Sequence, residues 1–232
     1  MKLTGRIRVY LVDSHPVFRL GVAGLLRAEQ DMMLVGEAEG GREALVKIPK
    51  KKIDVLVLDL ALEDMSGLEL VRELRREYPD LSLLVLSSHD EAVYAERALK
   101  LGADGYLMKK APLVEIVSAI RRANSKQVAL SKRQSDIILK RIFGRGISGI
   151  QTPFQLLSDR ELEVFELMGQ GKSTRNVAEQ LFISMKTVET HQAHIKQKLG
   201  LTHLTEVMRA AFGWVNDLSS TSFNELQELP RE

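Results

Sequence analysis

The sequence has 232 residues, of which 44% are hydrophobic and 28% are charged, and its formal net charge is +2. This length and composition suit one or two globular domains with apolar cores and exclude a wholly disordered chain. The chain has no cysteine, which excludes disulfides and thiolate metal sites and favours a reducing compartment. No segment approaches the roughly 18 apolar residues of a membrane span, so we expect a cytoplasmic protein without a membrane partner.

Five short apolar segments alternate with amphipathic segments over residues 1–124. The apolar segments are rich in Val and Leu and lack regular alternation with polar residues, which is typical of strands buried on both faces. The intervening segments have helical periodicity, and two of them begin at Pro16 and Ser66, residue types that favour helix starts. This order predicts an α/β domain with a five-stranded, doubly wound parallel sheet.

Polar side chains stand at the carboxyl ends of four predicted strands. Asp13 ends the first strand, Asp59 the third and Lys109 the fifth. Ser87 and Ser88 end the fourth. Because ligand sites of open parallel sheets lie at this edge, we expect two carboxylates, a hydroxyl and an ammonium group to form one site. The alternative is that each residue is polar only because strand ends meet water.

Residues 125–153 are predicted to be a linker, partly helical. The segment "GRGISGIQTP" within it contains three glycines and a proline, which favours irregular structure. Between residues 121 and 145 there are eight Lys and Arg side chains and a single acid, Asp136. The basic excess of the chain is therefore concentrated in and next to the predicted linker.

Residues 154–217 have a purely helical pattern and are predicted to form a small all-α domain, followed by a polar tail at 218–232. Ser158 and Glu161 have the spacing of a capping box at the start of the first helix. A short helix, a tight turn and a helix capped by Ser184 follow. This order of elements predicts a helix-turn-helix.

The helix after Ser184 is predicted to be amphipathic. Its apolar side, which includes Val188, His191 and Ile195, is expected to face the core. The opposite face carries small and polar side chains: Lys186, Thr187, Glu189, Thr190, Ala193 and Lys196. The second helix of a helix-turn-helix enters the DNA major groove, so this face is a candidate DNA contact. The alternative is a helical bundle with a solvated face, which the near-neutral charge of the segment favours.

Two sets of motifs resemble known domains. The segment "LSDRELEVFELMGQGKSTRNVAEQLFISMKTVETHQAHIKQKLG" resembles the LuxR-type DNA-binding domain, notably in "LSDRELEV", "KTVETH" and the closing "KLG". Residues 7–124 resemble a response-regulator receiver, which has a flavodoxin-like fold, through "VDSHP", "VLDL", "GLEL" and "GADGYLMKKA". Together they resemble a full-length NarL/FixJ-type response regulator.

This resemblance implies roles for individual residues. Asp59 matches the phospho-accepting aspartate, and Ser87 and Lys109 match the residues that bind the phosphoryl group. Tyr106 matches the aromatic residue that turns inward when the site is occupied. The implied DNA contacts are Ser173, Thr174, Ser184, Lys186, Thr187, Glu189, Thr190, Ala193 and Lys196.

Mg²⁺ is the implied cofactor, and its site departs from the family pattern. Asp13, Asp59 and the backbone carbonyl of Ala61 would hold the ion. The family usually has two consecutive acids at the end of the first strand, and here the second position is Ser14. Glu63 stands where the family usually has a proline. Since a hydroxyl removes one negative charge from the cage, we expect Mg²⁺ to bind weakly.

The sequence therefore favours a DNA-binding transcriptional regulator of a two-component system, switched by phosphorylation of Asp59, and not an enzyme. Its implied partners are a double-stranded DNA operator, a sensor histidine kinase and a second copy of the chain, with RNA polymerase as a further candidate. Two alternatives stay open. One is a phosphorylation-independent regulator whose receiver, degenerate at Ser14, serves dimerisation or partner binding. The other is a protein-interaction adaptor that does not bind DNA.

Overall fold

The computed structural model describes residues 5–142 and 153–215. The chain divides into two compact units, Met1–Ile147 and Ser148–Glu232. The predicted tail, 218–232, and the glycine-rich part of the predicted linker lie outside the described residues. The boundaries predicted at residues 124 and 153 stay predictions.

The first unit is a parallel sheet flanked by helices. Its strands are β1 Ile7–Val12, β2 Met32–Ala38, β3 Val55–Leu58, β4 Ser82–Ser87, β5 Gly105–Met108 and β6 Ala129–Leu130. Its helices are α1 Pro16–Ala28, α2 Gly41–Lys47, α3 Gly67–Glu77, α4 Glu91–Lys100, α5 Leu113–Asn124 and α6 Lys132–Ile142. The strand order is β2-β1-β3-β4-β5-β6, and every neighbouring pair is parallel. The predicted α/β class and doubly wound sheet are confirmed.

The sheet has six strands where the sequence predicts five, because the start of the predicted linker adds a short edge strand. Ala129 pairs with Gly105 and Leu130 with Tyr106. A two-residue strand carries too little periodic signal to be read from sequence. Beyond it, Ser131 donates its hydroxyl to Glu91 on α4 at 2.9 Å, so the beginning of this segment is attached to the first unit.

The central strands are buried on both faces, which explains their continuous apolar sequence. All four residues of β3 and all six of β4 are buried. Side chains of α1 and α5, among them Leu26 and Ile120, pack on one face of the sheet together with Val57 and Leu86. At the carboxyl ends of β1, β3 and β5 the chain leaves this core, and the polar residues predicted there follow directly.

Over the residues described, the second unit consists of a short 3-10 helix, Pro153–Leu156, and four α-helices. Its helices are α7 Asp159–Gly169, α8 Thr174–Gln180, α9 Met185–Lys198 and α10 Leu204–Val215. The predicted capping box at α7 is present, because the Ser158 hydroxyl accepts a bond from the Glu161 amide and the Glu161 carboxylate accepts one from the Ser158 amide. Helices α8 and α9, with the turn between them, form the predicted helix-turn-helix.

The core of the second unit is apolar and closely packed. Phe165 is fully buried, and its ring lies 5.2 Å from that of Phe154 and 5.7 Å from that of Trp214. Helices α7 and α10 approach so closely that a Cβ added at Gly169 would collide with the carbonyl oxygen of Ala211. Glycine is therefore required where α7 and α10 cross, and these two helices support α9.

Candidate functional site

Two buried carboxylates share one ammonium group at the carboxyl edge of the sheet. Asp13 follows β1 and Asp59 follows β3, and each is only 1% exposed. The Nζ atom of Lys109, which follows β5, lies 2.7 Å from Oδ2 of both carboxylates. The ring of Phe18 supports this ammonium group, with its centroid 4.4 Å from Nζ. The structure thus brings together three of the polar strand ends that the sequence singles out.

The charges of this site are not balanced by the residues that form it. Two carboxylates face one ammonium group, and burial makes an uncompensated negative charge costly. Oδ1 of Asp59 is buried and, in the part of the chain described, has no hydrogen-bond partner. Buried polar atoms are normally satisfied, so this oxygen marks a position where a ligand or cation is expected.

His15 also belongs to this site, although it is not among the site residues that the sequence predicts. Its backbone amide donates to Oδ1 of Asp13 at 2.8 Å, and its ring Nδ1 lies 3.2 Å from the same oxygen. The ring Nδ1 is also 3.9 Å from Oδ2 of Asp59. One ligand atom from each of the three residues lies within 4.8 Å of the others. The available signal was its position directly after "DS" and before the Pro16 helix start.

Ser14, which replaces the second acid of the family's metal site, makes a hydrogen bond of its own. Its hydroxyl donates to the carbonyl oxygen of Ala61 at 3.0 Å, the same oxygen that the sequence assigns to a metal. Glu63, which stands where the family usually has a proline, is exposed. Its neighbour Asp64 accepts bonds from the first amides of α2, with the Gly41 amide at 2.8 Å.

Ser87 and Tyr106 are both fully buried, and His89 links them. The Ser87 hydroxyl lies 2.8 Å from Nδ1 of His89, and the Tyr106 hydroxyl donates to the carbonyl oxygen of His89 at 2.9 Å. Tyr106 therefore occupies the inward position. Ser87 ends β4, which is the neighbour of β3 in the sheet, so its hydroxyl stands at the same edge as Asp59. The sequence gives no indication of the role of His89.

The second candidate site is the outer face of α9. Glu189, Thr190 and Ala193 are exposed, and Lys196 is half-buried. Lys186 is exposed and lies 3.3 Å from the Glu189 carboxylate, one helical turn away. These contacts stay within the helix, so both side chains can be redirected to another molecule without disturbing the core.

The serines and threonines predicted near DNA also fix the ends of the two helices. The Ser184 hydroxyl accepts from the Thr187 amide at 3.0 Å and caps α9. The Ser173 hydroxyl caps α8 by accepting from the Asn176 amide at 3.2 Å. Thr174 begins α8, and its hydroxyl oxygen lies 3.5 Å from the side-chain nitrogen of Gln192 on α9. Exposed helix starts with free amides are also the places where phosphates bind.

The inner face of α9 holds it against α7. Val188 and Ile195 are fully buried, whereas His191 is half-buried. Burial lowers the pKa of His191, and its Nδ1 has no partner in the described part of the chain. Burial alone would raise the pKa of Glu161. Hydrogen bonds from Lys198, at 2.6 Å, and from Ser158 have the opposite and larger effect, so the pKa of Glu161 lies below its ordinary value.

Comparison with known proteins identifies the family of each unit. Residues 9–121 match the family described as response regulator receiver domain, and residues 155–211 match bacterial regulatory proteins of the luxR family. In the described ranges, no helix is both long enough and apolar enough to cross a membrane.

Relatives align with nearly the full length of the chain. The oxygen regulatory protein NreC of Staphylococcus carnosus is 32% identical over 209 residues, which is 88% of this chain and 96% of that protein. The transcriptional regulatory protein LiaR of Bacillus subtilis is 35% identical over 202 residues, 86% of this chain and 94% of that protein.

Solved structures share the fold. RcsB from Salmonella enterica serovar Typhimurium, bound to promoter rprA with the phosphomimetic BeF3⁻, aligns with a TM-score of 0.68 at 23% identity, covering 88% of this chain and 98% of that one. The response regulator ChrA of a heme-sensing two-component system aligns with a TM-score of 0.51 at 34% identity, covering 90% and 97%. The chain therefore belongs to the NarL/FixJ-type response regulators, DNA-binding transcription regulators of two-component systems that join a receiver domain to a LuxR-type domain.

Proposed function

We propose that phosphorylation of Asp59 switches the DNA binding of this regulator. The observation that carries the proposal is the unpartnered, buried Oδ1 of Asp59 beside Lys109. A desolvated carboxylate oxygen with no hydrogen bond to break is ready to attack phosphorus, and the ammonium group offsets the charge that the phosphoryl group adds.

The chemical step is a phosphoryl transfer onto the Asp59 carboxylate. An oxygen of Asp59 forms the bond to phosphorus, and the bond from phosphorus to the donor's leaving group breaks, with the electron pair going to that group. Lys109 then pairs with the phosphoryl oxygens. The Ser87 hydroxyl exchanges its contact with the His89 ring for a phosphoryl oxygen. Tyr106, already inward, keeps the loop after β4 in place through its bond to His89.

The donor atoms at this edge fit Mg²⁺ in kind but provide few ligands. Asp13, Asp59 and the Ala61 carbonyl offer the hard oxygens that this ion prefers. Ser14 weakens the set, because it supplies a neutral hydroxyl that already binds the Ala61 carbonyl. Bound Mg²⁺ would neutralise charge on the transferring phosphoryl oxygens.

We further propose that the outer face of α9 reads the operator in the major groove. Glu189 would accept a hydrogen bond from cytosine N4, and Lys186 and Lys196 would contact phosphates. The α8 start at Ser173 and Thr174 would contact the backbone, with Ser184, Thr187, Thr190 and Ala193 lining the α9 contact. In one solved structure, two RcsB dimers are bound to two parallel DNAs, which supports a homodimer as the DNA-binding form.

The remaining partners follow from the family. A sensor histidine kinase would supply the phosphoryl group, and RNA polymerase is a candidate contact of the DNA-bound regulator. We propose that the protein acts in the cytoplasm, where kinase output and chromosomal DNA meet.

The test is direct phosphorylation of the full-length protein. We expect a mass gain of one phosphoryl group on incubation with Mg²⁺ and acetyl phosphate, which releases acetate, and no gain for Asp59→Asn. Asp80→Asn, an exposed aspartate at the opposite end of β4, is the matched control and should gain phosphate normally. Absence of a mass gain in the wild-type protein would favour the second candidate, a phosphorylation-independent regulator, for which Ser14 is the supporting observation.

A DNA-binding assay alone distinguishes the protein-interaction adaptor from a DNA-binding regulator. A mobility-shift assay on a random-sequence pool, with the phosphorylated and the untreated protein, should enrich a two-part site. If no DNA is retained in either state while the helical domain is folded, the exposed face of α9 has another kind of partner.

A further inference from the structure

We infer that the metal site of this receiver includes His15 as a nitrogen ligand and prefers a transition ion such as Mn²⁺ or Zn²⁺ to Mg²⁺. The inference rests on the proposed function, because the metal would assist phosphoryl transfer to Asp59. Its test measures metal binding and requires no phosphoryl transfer. The three protein ligands would be Asp13, His15 and Asp59, the three residues whose ligand atoms lie within 4.8 Å of one another.

The geometry of the cluster suits a single ion. Nδ1 of His15 lies 3.2 Å from Oδ1 of Asp13 and 3.9 Å from Oδ2 of Asp59. Two ligands that each bind one ion at about 2.1 Å stand roughly 3.0–3.4 Å apart at tetrahedral or octahedral angles. The His15 to Asp13 distance already has this value, and its backbone amide, bonded to the same carboxylate, keeps the imidazole beside it.

Lys109 does not occupy all of the ligand positions. Its ammonium group contacts Oδ2 of Asp13 and Oδ2 of Asp59, and it also lies 3.4 Å from Nδ1 of His15. Oδ1 of Asp59 is buried and without a partner in the described residues, and Oδ1 of Asp13 faces the His15 ring. One oxygen of each carboxylate is thus available to an ion, which would replace the ammonium group as the neighbour of the His15 Nδ1. The orphaned oxygen is the independent sign that a cation belongs here.

The donor set determines which ion is favoured. Ser14 removes one of the carboxylates that a hard Mg²⁺ ion requires, and its hydroxyl is engaged with the Ala61 carbonyl. An imidazole nitrogen adds little to Mg²⁺, whereas it suits Zn²⁺ and other first-row ions. The net effect of these two changes is a mixed nitrogen–oxygen site in place of an all-oxygen cage. His15 is 63% exposed in its side chain, so water can complete the coordination.

The experiment measures metal binding by the untagged, full-length protein. Calorimetric titration with Mg²⁺, Mn²⁺ and Zn²⁺ is done on the wild type, on His15→Ala and on His203→Ala, an exposed histidine of the second unit that serves as the matched control. We expect His15→Ala to weaken Mn²⁺ and Zn²⁺ binding by about 10- to 100-fold while Mg²⁺ binding barely changes. His203→Ala should leave all three unchanged.

Two further measurements keep the inference open to refutation if the variant folds poorly. Pulsed electron paramagnetic resonance of Mn²⁺ bound to the wild type should show coupling to one imidazole ¹⁴N. Ser14→Asp should raise Mg²⁺ affinity by about tenfold, since it restores a second acid. Absence of ¹⁴N coupling, or equal Zn²⁺ affinity in wild type and folded His15→Ala, would overturn the inference. A failure of Asp59 to accept phosphate would not affect these readouts.

Discussion

The polar groups of the two units are arranged in opposite ways. In the first unit Asp13, Asp59 and Lys109 lie almost fully buried at the edge of the sheet and contact one another. In the second unit Lys186 and Glu189 stand exposed on a helix, and their contact stays within one turn. Burying charged groups costs free energy, so buried charges are kept where their mutual contacts serve a reaction. Exposed charged groups cost little free energy, and their contacts can be replaced by contacts with another molecule.

This difference separates chemistry from recognition. The buried cluster can act on a small group that enters it, because water screens its electrostatic interactions only weakly. The exposed face of α9 gains its interactions only when a complementary surface covers it. Substitutions should therefore change stability and chemistry together in the buried cluster of the first unit. On the exposed face of α9, apart from its capping residue Ser184, they should change binding without stability.

Replacing Lys109 by methionine should give the largest loss. Without the ammonium group, two buried carboxylates face each other, and we expect the free energy of unfolding to fall by about 3 kcal/mol. Urea unfolding monitored by circular dichroism, with metal chelated, measures the change. Lys110→Met, at the exposed neighbouring position, is the control and should stay within about 0.5 kcal/mol of wild type. A loss in the control equal to that in Lys109→Met would show that the buried pair is not responsible.

Replacing Glu189 by alanine should alter recognition and not stability. Loss of its hydrogen bond to one base should relax the preference at a single base pair by about 1–3 kcal/mol. Binding to a panel of operator variants measures this. Lys186→Ala, one turn away, should instead weaken binding to all sequences alike and reduce its salt dependence. A uniform loss for Glu189→Ala would contradict the assignment of this residue to base contact.

Replacing Ser184 by alanine separates capping from DNA contact. Loss of the bond to the Thr187 amide should lower the stability of the second unit by about 1 kcal/mol. Ser184→Asp keeps a cap and should restore stability, but its negative charge should weaken DNA binding. The single tryptophan of the chain, Trp214, lies in this unit and reports its unfolding by fluorescence. Unchanged stability in Ser184→Ala would show that the cap is dispensable.

The smallest expected effect is a loss of stability of the second unit on acidification. Burial lowers the pKa of His191 in the folded protein, so the unfolded chain binds that proton first and stability decreases as pH falls below about 6.5. Glu161, despite its burial, has a lowered pKa through Lys198 and Ser158, so its contribution is present at neutral pH and is lost below about 4.5. His191→Gln should remove the first of these steps. Trp214 fluorescence in urea across this pH range measures both.

Much of the fold and part of the site could be predicted from the sequence. Continuous apolar strands dictate a sheet buried on both faces, and its topology then places Asp13, Asp59 and Lys109 at one edge. The capping box at Ser158 and the amphipathic pattern of α9 likewise depend on local spacing, which a sequence displays.

Other features depend on contacts between distant residues and were not predictable. The hydroxyl of Ser14 reaches Ala61, and the ring of His15 turns toward Asp13, because α1 begins directly after β1 and fixes the direction of both side chains. The contact between Ser87 and His89 depends in the same way on the path of the loop after β4. Strand β6 was missed because two residues cannot display a period.

The most direct test of the link between the two units is the affinity for a selected operator before and after treatment with acetyl phosphate and Mg²⁺. Fluorescence anisotropy should show at least about tenfold tighter binding by the treated wild type, a typical allosteric coupling, and no change for Asp59→Asn. Unchanged affinity of a wild-type protein that carries phosphate on Asp59 would contradict the proposed switch.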